Sequence, residues 1–278
     1  LEQDKIDDMV FQNKTIHRAK KQKFIIATDS ACDLPKERIE SDHIYQIPVR
    51  VIFKDVSYVD KVTMSPSLFY KLLSTKADFP KTSQPTPADL KRSYQILSQQ
   101  FERVFSLHIP SLLSGTCQAA KQMAESVAPN ISVIDVNTGS VATGILTRML
   151  AEWIAKDLSK EKILELVQKS IPNTRLYIVL KTVDMGIRGG RLSAKKGFIL
   201  KLLNLNPILT FSPEGTIVLE GFGFGFKSAL NKTLNLVARD FKNKQNCRFS
   251  IGHADNFNQA DELYHKIKES YKEKIKRI

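Results

Sequence analysis

Val104-Phe105-Ser106-Leu107-His108-Ile109 leads through Pro110-Ser111-Leu112-Leu113 into Ser114-Gly115-Thr116, and then into Cys117-Gln118-Ala119-Ala120-Lys121-Gln122-Met123-Ala124. The first run is short and apolar and reads as a buried strand. The last is rich in helix formers and reads as a helix. A strand that passes through a small-residue turn into a helix leaves backbone N–H groups unpaired at the turn. Together with the helix dipole they form a ready anion site. Ser114 and Thr116 add hydroxyl donors, and Gly115 lets a ligand approach the backbone closely. Capping and a tight turn are the simpler reading of this stretch taken alone. The stretches around it shift that balance.

Upstream, Phe24-Ile25-Ile26-Ala27 reads as a first strand of a parallel sheet, ending in Thr28-Asp29-Ser30-Ala31-Cys32-Asp33-Leu34-Pro35. Pro35 suits a first helical turn with Asp33 as its cap. Polar side chains therefore gather at the carboxyl end of the strand, where open α/β sheets bind ligands. Ile44–Phe53 reads as one strand, Lys54–Asp60 as a turn and return, and Ser65-Pro66 as the opening of a helix through Leu73. Val49–Phe79 is expected to stand off the main sheet as a small insertion. Thr82-Ser83-Gln84-Pro85-Thr86-Pro87 is a rigid extended loop, with Thr86-Pro87 as cap and first residue of a helix through Gln99.

Downstream, Ile131–Asp135 reads as a strand, Asn137–Leu158 as a long helix and Ser159–Pro172 as a short charged one. Alternation of strand and helix predicts a parallel sheet covered on both faces. Leu176–Leu180 then reads as a strand, Thr182–Leu192 as a glycine-rich basic loop and Ala194–Leu203 as a helix. Pro207–Phe211 and Thr216–Leu219 flank a hairpin signal, Ser212-Pro213-Glu214-Gly215. Gly221–Phe226 reads as extended, Lys227–Phe241 as a helix, Arg248–Ile251 as a strand and Asn256–Lys276 as a last amphipathic helix. The fold class is α/β in two domains: an extension over 1–23, a parallel-sheet α/β domain over 24–170 with an insertion near 49–79, and an α+β domain over 171–278.

The 278 residues are 42% hydrophobic, enough to fill such cores. The N-terminus lacks the layout of a signal peptide, and no apolar run is long enough for a transmembrane helix. Three cysteines, Cys32, Cys117 and Cys247, have no Cys-x-x-Cys spacing, which favours reduced thiols, a cytoplasmic setting and no zinc. The net charge of +13 raises nucleic acid or an anionic membrane surface as partners. Much of that charge is mixed in sign, as on solvated faces. Lys181–Lys201 differs: six basic residues stand against Asp184 alone.

Gly-x-Ser-x-Gly, a Walker loop and a Rossmann glycine motif are all absent. The histidines show no metal-ligand spacing. His253, at a strand end in Gly252-His253-Ala254-Asp255, either faces a ligand or serves as a structural hydrogen-bonder. Thr28, Ser30, Thr82, Ser83, Ser114 and Thr116 form a set of hydroxyls with no evident base. Such a set suits holding an anion better than catalysis.

Thr28-Asp29-Ser30-x-x-Asp33-Leu34-Pro35, Thr82-Ser83-Gln84-Pro85-Thr86, Leu113-Ser114-Gly115-Thr116, Gly190-Arg191-Leu192-Ser193 and His253-Ala254-Asp255 occur in this order. From Phe24 onward the chain closely resembles the DegV family, which includes the fatty-acid-binding subunits of bacterial fatty acid kinase. The resemblance implies a long-chain fatty acid buried between two domains, with no other cofactor and no metal. Its carboxylate is expected near Ser114 and Thr82, with Ser83, Gly115, Thr116 and His253 close by and Thr28, Asp29 and Ser30 on a neighbouring loop. The resemblance also implies a kinase partner docking near Arg188 and Arg191. Family members that serve the kinase often carry arginines where Gly223–Lys227 stands here, and only Lys227 is basic. The protein is thus expected to be a non-catalytic lipid carrier without a nucleic-acid partner, touching membranes at most transiently. The rival readings are a hydrolase with Ser114 as nucleophile, marked by a His or Lys within reach of it, and a charge-driven nucleic-acid or membrane-surface binder.

Overall fold

The computed structural model describes residues 22–75, 79–192, 205–272 and 275–277. Strand β1 (Gln22–Asp29) leads to helix α1 (Lys36–Ser41) and β2 (Ile44–Ile47). A small unit follows: β3 (Arg50–Phe53), β4 (Val56–Val59), α2 (Pro66–Thr75) and β5 (Lys81–Ser83). The chain returns through α3 (Pro87–Gln100), β6 (Phe101–His108), α4 (Thr116–Val127), β7 (Ile131–Asp135), α5 (Ser140–Ala155) and α6 (Lys160–Ser170).

β2, β1, β6 and β7 lie side by side in that order, all parallel. Parallel strands need helical crossovers, and those helices bury both faces of the sheet. Alternate residues of each strand accordingly serve opposite layers. Ala27 and Val104 pack with Leu90, Tyr94, Leu97 and Ala120 of α3 and α4. Ile26, Phe105 and Leu107 pack with Leu146, Leu150, Ile163 and Val167 of α5 and α6. The polar ends of β1, β6 and β7 therefore meet at one edge of the sheet.

Ile44–Phe53 is two strands in two sheets rather than one. The break falls at Pro48, which has no N–H to donate. β3 is the centre of a separate antiparallel sheet, β4-β3-β5, with Val51, Phe53 and Met64 as its core. Lys81–Ser83 is therefore a strand of this sheet, not a free loop. Asp33 does not cap α1. It adopts a left-handed conformation (φ 49°), Pro35 takes the N-cap, and the Asp33 carboxylate pairs with Lys61 and accepts from Ser140 Oγ. Thr86-Pro87 behaves as expected: Thr86 and Asp89 form a reciprocal capping box.

The second half contains β8 (Ile178–Val179), α7 (Asp184–Arg188), β9 (Leu205–Phe211), β10 (Ile217–Phe224), α8 (Phe226–Phe241), β11 (Cys247–Arg248), α9 (Phe257–Ser270) and β12 (Ile275–Arg277). The helix expected over 194–203 lies outside the described residues. The last helix stops at Ser270 rather than running to Lys276, and the chain returns as a strand parallel to β11. β10, β9 and β8 form an antiparallel sheet with α8 packed against it.

A bulge between Leu219 and Gly221 sets the faces of β10. Register pairs Ile217 with Phe211, Leu219 with Leu209, Phe222 with Pro207 and Phe224 with Leu205, so all eight share one face. Gly221 and Gly223 face the other way, toward α8. There the helix comes so close that a Cβ on Gly223 would lie 2.2 Å from Ala229 N. The two halves meet where Phe211, Leu176 and Ile217 pack on Ala142 and Leu113. Asn137 Nδ2 donates to Pro213 O at 2.9 Å, and Arg248 and Glu152 form a bidentate pair at 2.6 Å.

The two glycines of β10 predict opposite outcomes. Gly223→Ala must push the α8 backbone away and should cost roughly 2–3 kcal/mol. Gly221→Ala meets the flexible end of Lys232 at 3.3 Å and Ile208 at an ordinary 3.8 Å, and should cost under about 1 kcal/mol. Urea unfolding of both variants checks this, and equal losses would contradict it.

Candidate functional site

The Ser114 turn hangs between strand ends. Asp29 Oδ2, at the end of β1, accepts from Ile109 N at 3.0 Å, and Asp135 Oδ2, at the end of β7, accepts from Ser111 N at 3.0 Å. Between them the chain coils on Pro110, whose carbonyl accepts from Leu113 N and Ser114 N. Gly115, not Ser114, occupies the N-cap of α4, so no side chain caps that helix from the cap position. Ser114 Oγ lies 2.9 Å from Thr116 Oγ1 and accepts from Thr116 N at 3.3 Å.

The second loop is fixed at both ends. Thr82 pairs with Val51 and Ser83 with Arg50 across β5 and β3. Beyond it, the Thr86–Asp89 capping box starts α3, and Arg50 joins the two anchors by donating to Asp89 Oδ2 at 2.6 Å. The Arg50 and Asp89 side chains are only 12% and 16% exposed. Removing either partner would leave a charge poorly solvated, which makes this pair stiffer than a surface ion pair.

The two loops meet at Gly115. A Cβ there would stand 2.2 Å from Oε1 of Gln84, so glycine is what lets the Gln84 amide lie across the turn. Thr82 and Ser83 are exposed, Ser114 is half-buried and Thr116 is buried. The segment that carries Thr82 and Ser83 and the turn that carries Ser114 and Thr116 are thus in touch through Gln84 and Gly115.

Thr28, Asp29 and Ser30 do not form an open loop beside them. Thr28 and Asp29 belong to β1, and all three residues are fully buried. Ser30 Oγ accepts from Val49 N at 3.0 Å and so ties the small sheet to the main one. His253 is exposed; its Nδ1 accepts from Asn256 N at 3.2 Å. In the neutral ring this leaves Nε2–H as the free donor. Gly252 beside it packs on Val141, which brings the loop against the start of α5.

Arg188 and Arg191 are both exposed. The Arg188 guanidinium stands 5.2 Å from the centroid of the Phe79 ring, a contact from the second half to the segment just before Lys81. Arg191 Nη1 donates to Gly189 O at 2.8 Å. Ser193 lies outside the described residues.

A buried polar network lies on the same sheet end and was not legible as a site in the sequence. His108 Nδ1 lies 3.1 Å from Asp29 Oδ2, and His108 Nε2 lies 2.8 Å from Ser106 Oγ and 3.3 Å from Tyr94 OH. Tyr94, Ser106, His108 and Asp29 are all fully buried. Burial drives the Tyr94 phenol far above its ordinary range and lifts the neighbouring Tyr45 to about 12. The order hydroxyl, imidazole, carboxylate is that of a hydrolase triad, but no substrate carbon reaches an enclosed Ser106. At Ser114 the side-chain partner is Thr116, and among the described residues no His or Lys hydrogen-bonds to it, as a serine nucleophile would require. Cys117, in the first turn of α4, has its thiol pushed up by burial and is poorly suited to attack. Among the described residues, no His, Cys, Asp and Glu side chains group so as to hold a metal, and no helix is long and apolar enough to cross a membrane.

Residues 23–278 match the DegV family, described as uncharacterised proteins. A DegV domain-containing protein of Clostridium acetobutylicum is 29% identical over 245 residues, 87% of this chain and 86% of that protein. Among solved structures, DegV of Bacillus subtilis, described as a fatty acid binding protein, is 26% identical with a TM-score of 0.84, covering 93% of this chain and 92% of that one. The fatty acid kinase B3 protein of Streptococcus pneumoniae, solved loaded with linoleic acid, has the same fold, with a TM-score of 0.79 at 23% identity over 92% of each chain. The order of motifs, the parallel sheet with its antiparallel companion and the match over nearly the whole sequence agree: the chain belongs to the DegV family.

Proposed function

We propose that the protein binds a long-chain fatty acid between its two halves. Its carboxylate rests on the Ser114–Thr116 turn and the Thr82-Ser83 strand, and its acyl chain lies along the inner face of the β8–β10 sheet. The observation that carries this reading is the change of chemistry between two consecutive residues. Leu113 packs into the apolar seam with Ala142 and Phe211, while Ser114 begins the hydroxyl cradle. A polar cradle joined directly to an apolar wall suits a ligand with a charged head and a hydrocarbon tail.

The wall continues past the seam. Leu219, Phe222 and Phe224 share the face of Phe211 and Ile217, yet Phe224 is 78% exposed. Covering about 15 methylenes at ~0.8 kcal/mol each gives a gross gain near 12 kcal/mol. The carboxylate then needs donors, and hydroxyls and backbone N–H groups supply them without a countercharge. The likeness to DegV of Bacillus subtilis supports the fatty acid as ligand. We place the protein in the cytoplasm, in keeping with three buried free cysteines.

Presentation of the carboxylate to a kinase is the finer part of the proposal. It is supported by the likeness to the kinase B3 protein and by Arg188 and Arg191 on the surface. Pairing of charges between partners speeds their encounter more than it tightens the complex.

Three measurements test this reading. Protein purified without added lipid should yield stoichiometric fatty acid on organic extraction. If none is found, and stripped protein then fails to bind oleate, the carrier role is lost. Ser114→Ala and Thr82→Ala should each weaken oleate binding by roughly 1.5–3 kcal/mol and oleyl alcohol binding by less. Equal losses would remove these hydroxyls from the head group. Arg191→Ala should leave oleate binding intact and slow phosphorylation of the bound acid by a partner kinase, most at low ionic strength. Unchanged phosphorylation would end the docking role.

A further inference from the structure

We infer that Asp29 and His108 are positioning residues of the head-group site: together they hold the Ser114 turn in the shape that tells a carboxylate from a neutral head. This rests on the reading of that turn as the carboxylate cradle. Asp29 Oδ2 takes two hydrogen bonds, one from Ile109 N, which opens the segment leading to Ser114, and one from His108 Nδ1. With Nδ1 donating, Nε2 is left to accept from Ser106 or Tyr94. The chain Tyr94, Ser106, His108, Asp29 and the Ile109 N–H thus runs from the core of α3 to the segment that leads to the turn, and the four side chains in it are fully buried.

Asp29 Oδ1 is buried with no partner among the described residues. A carboxylate oxygen left so is costly. The cost is understandable if Oδ2 does work that an apolar residue of similar size would not do. The work it does here is on a backbone N–H of the turn. An oxyanion cradle is useful only when its donors are held in place before the ligand arrives. Asp135 fixes Ser111 from the other side, so Asp29 decides how the segment leaves β6.

Stripped full-length protein is titrated with oleate and with oleyl alcohol, and the ratio of the two affinities is the readout. Asp29→Ala should reduce the preference for the acid by about tenfold, equal to roughly one hydrogen-bond energy to a charged group. Asp29→Asn should keep the preference, because its amide oxygen can stand where Oδ2 stands and its NH2 where the unpartnered oxygen is. Ser106→Ala, in the same network but away from the turn, should lower Tm and leave the ratio alone. A folded Asp29→Ala protein with the wild-type ratio, or a Ser106→Ala protein that loses it equally, overturns the inference. If Asp29→Ala does not fold, His108→Ala takes its place, with a loss of about threefold expected and an unchanged ratio counting against the inference. If the wild type itself does not prefer oleate to its alcohol, the carboxylate reading fails. Hydrogen exchange at Ile109–Ser114 then decides the positioning role, which requires faster exchange in Asp29→Ala or His108→Ala than in the wild type and falls if the rates are equal.

Discussion

A backbone that leaves a sheet has to find new partners for its N–H groups, and here two carboxylates provide them. Asp29 and Asp135 stand at the ends of strands that flank β6 on either side, and each accepts from one peptide of the segment that β6 releases. The turn, the start of α4 and the junction of Leu113 with the apolar seam all depend on these two bonds. Buried backbone donors are rarely left unpaired. The acids serve as substitutes for the strand neighbours that the chain has just lost, and a free strand end becomes a shaped platform.

The main sheet was legible in the sequence because parallel strands buried on both faces read as uninterrupted apolar runs, each followed by a helix. The motif loops were legible because glycine, proline and hydroxyl residues punctuate them. Pro48 was the signal missed in Ile44–Phe53: alternation continued across it, but the missing N–H made it a boundary between sheets. The last helix was read too long because Lys-rich polarity continues past Ser270, and periodicity does not say where a helix stops. Asp29 was visible as part of a motif. His108 was hidden in an apolar run, where its partner, 79 residues earlier, could not be inferred. Pairings of this kind are set by strand order, which local pattern does not encode.

The structure weighs differently on the two rivals. Among the described residues a nucleophile at Ser114 has no His or Lys hydrogen-bonded to it, and the Ser106–His108–Asp29 arrangement, which has a triad's order, is sealed inside the protein. The positive charge is partly spent at home: Arg50 on Asp89, Arg148 on Asp42, Arg248 on Glu152 and Arg239 on Glu220 are all paired. Net charge therefore overstates how much of the surface is free to meet an anion. Pairing within the chain stiffens the joints between units, and only the remainder bears on partners.

The bulge in β10 makes the parity of that strand a fixed quantity. One extra residue, Glu220, lets two phases of a two-residue rhythm share the strand: odd positions point to the seam before it and even positions after it. Pairing Glu220 into the ladder as an ordinary residue would restore simple alternation and turn the Gly-Phe-Gly-Phe run over to the other face. Phe222 would then take the place of Gly223 against the backbone of α8, where not even a methyl group fits, and the glycines would line the seam. While Glu220 is present the bulge is thus as constrained as the composition, a strand one residue shorter keeps the same faces, and corresponding positions in related strands have to be matched by face rather than by count.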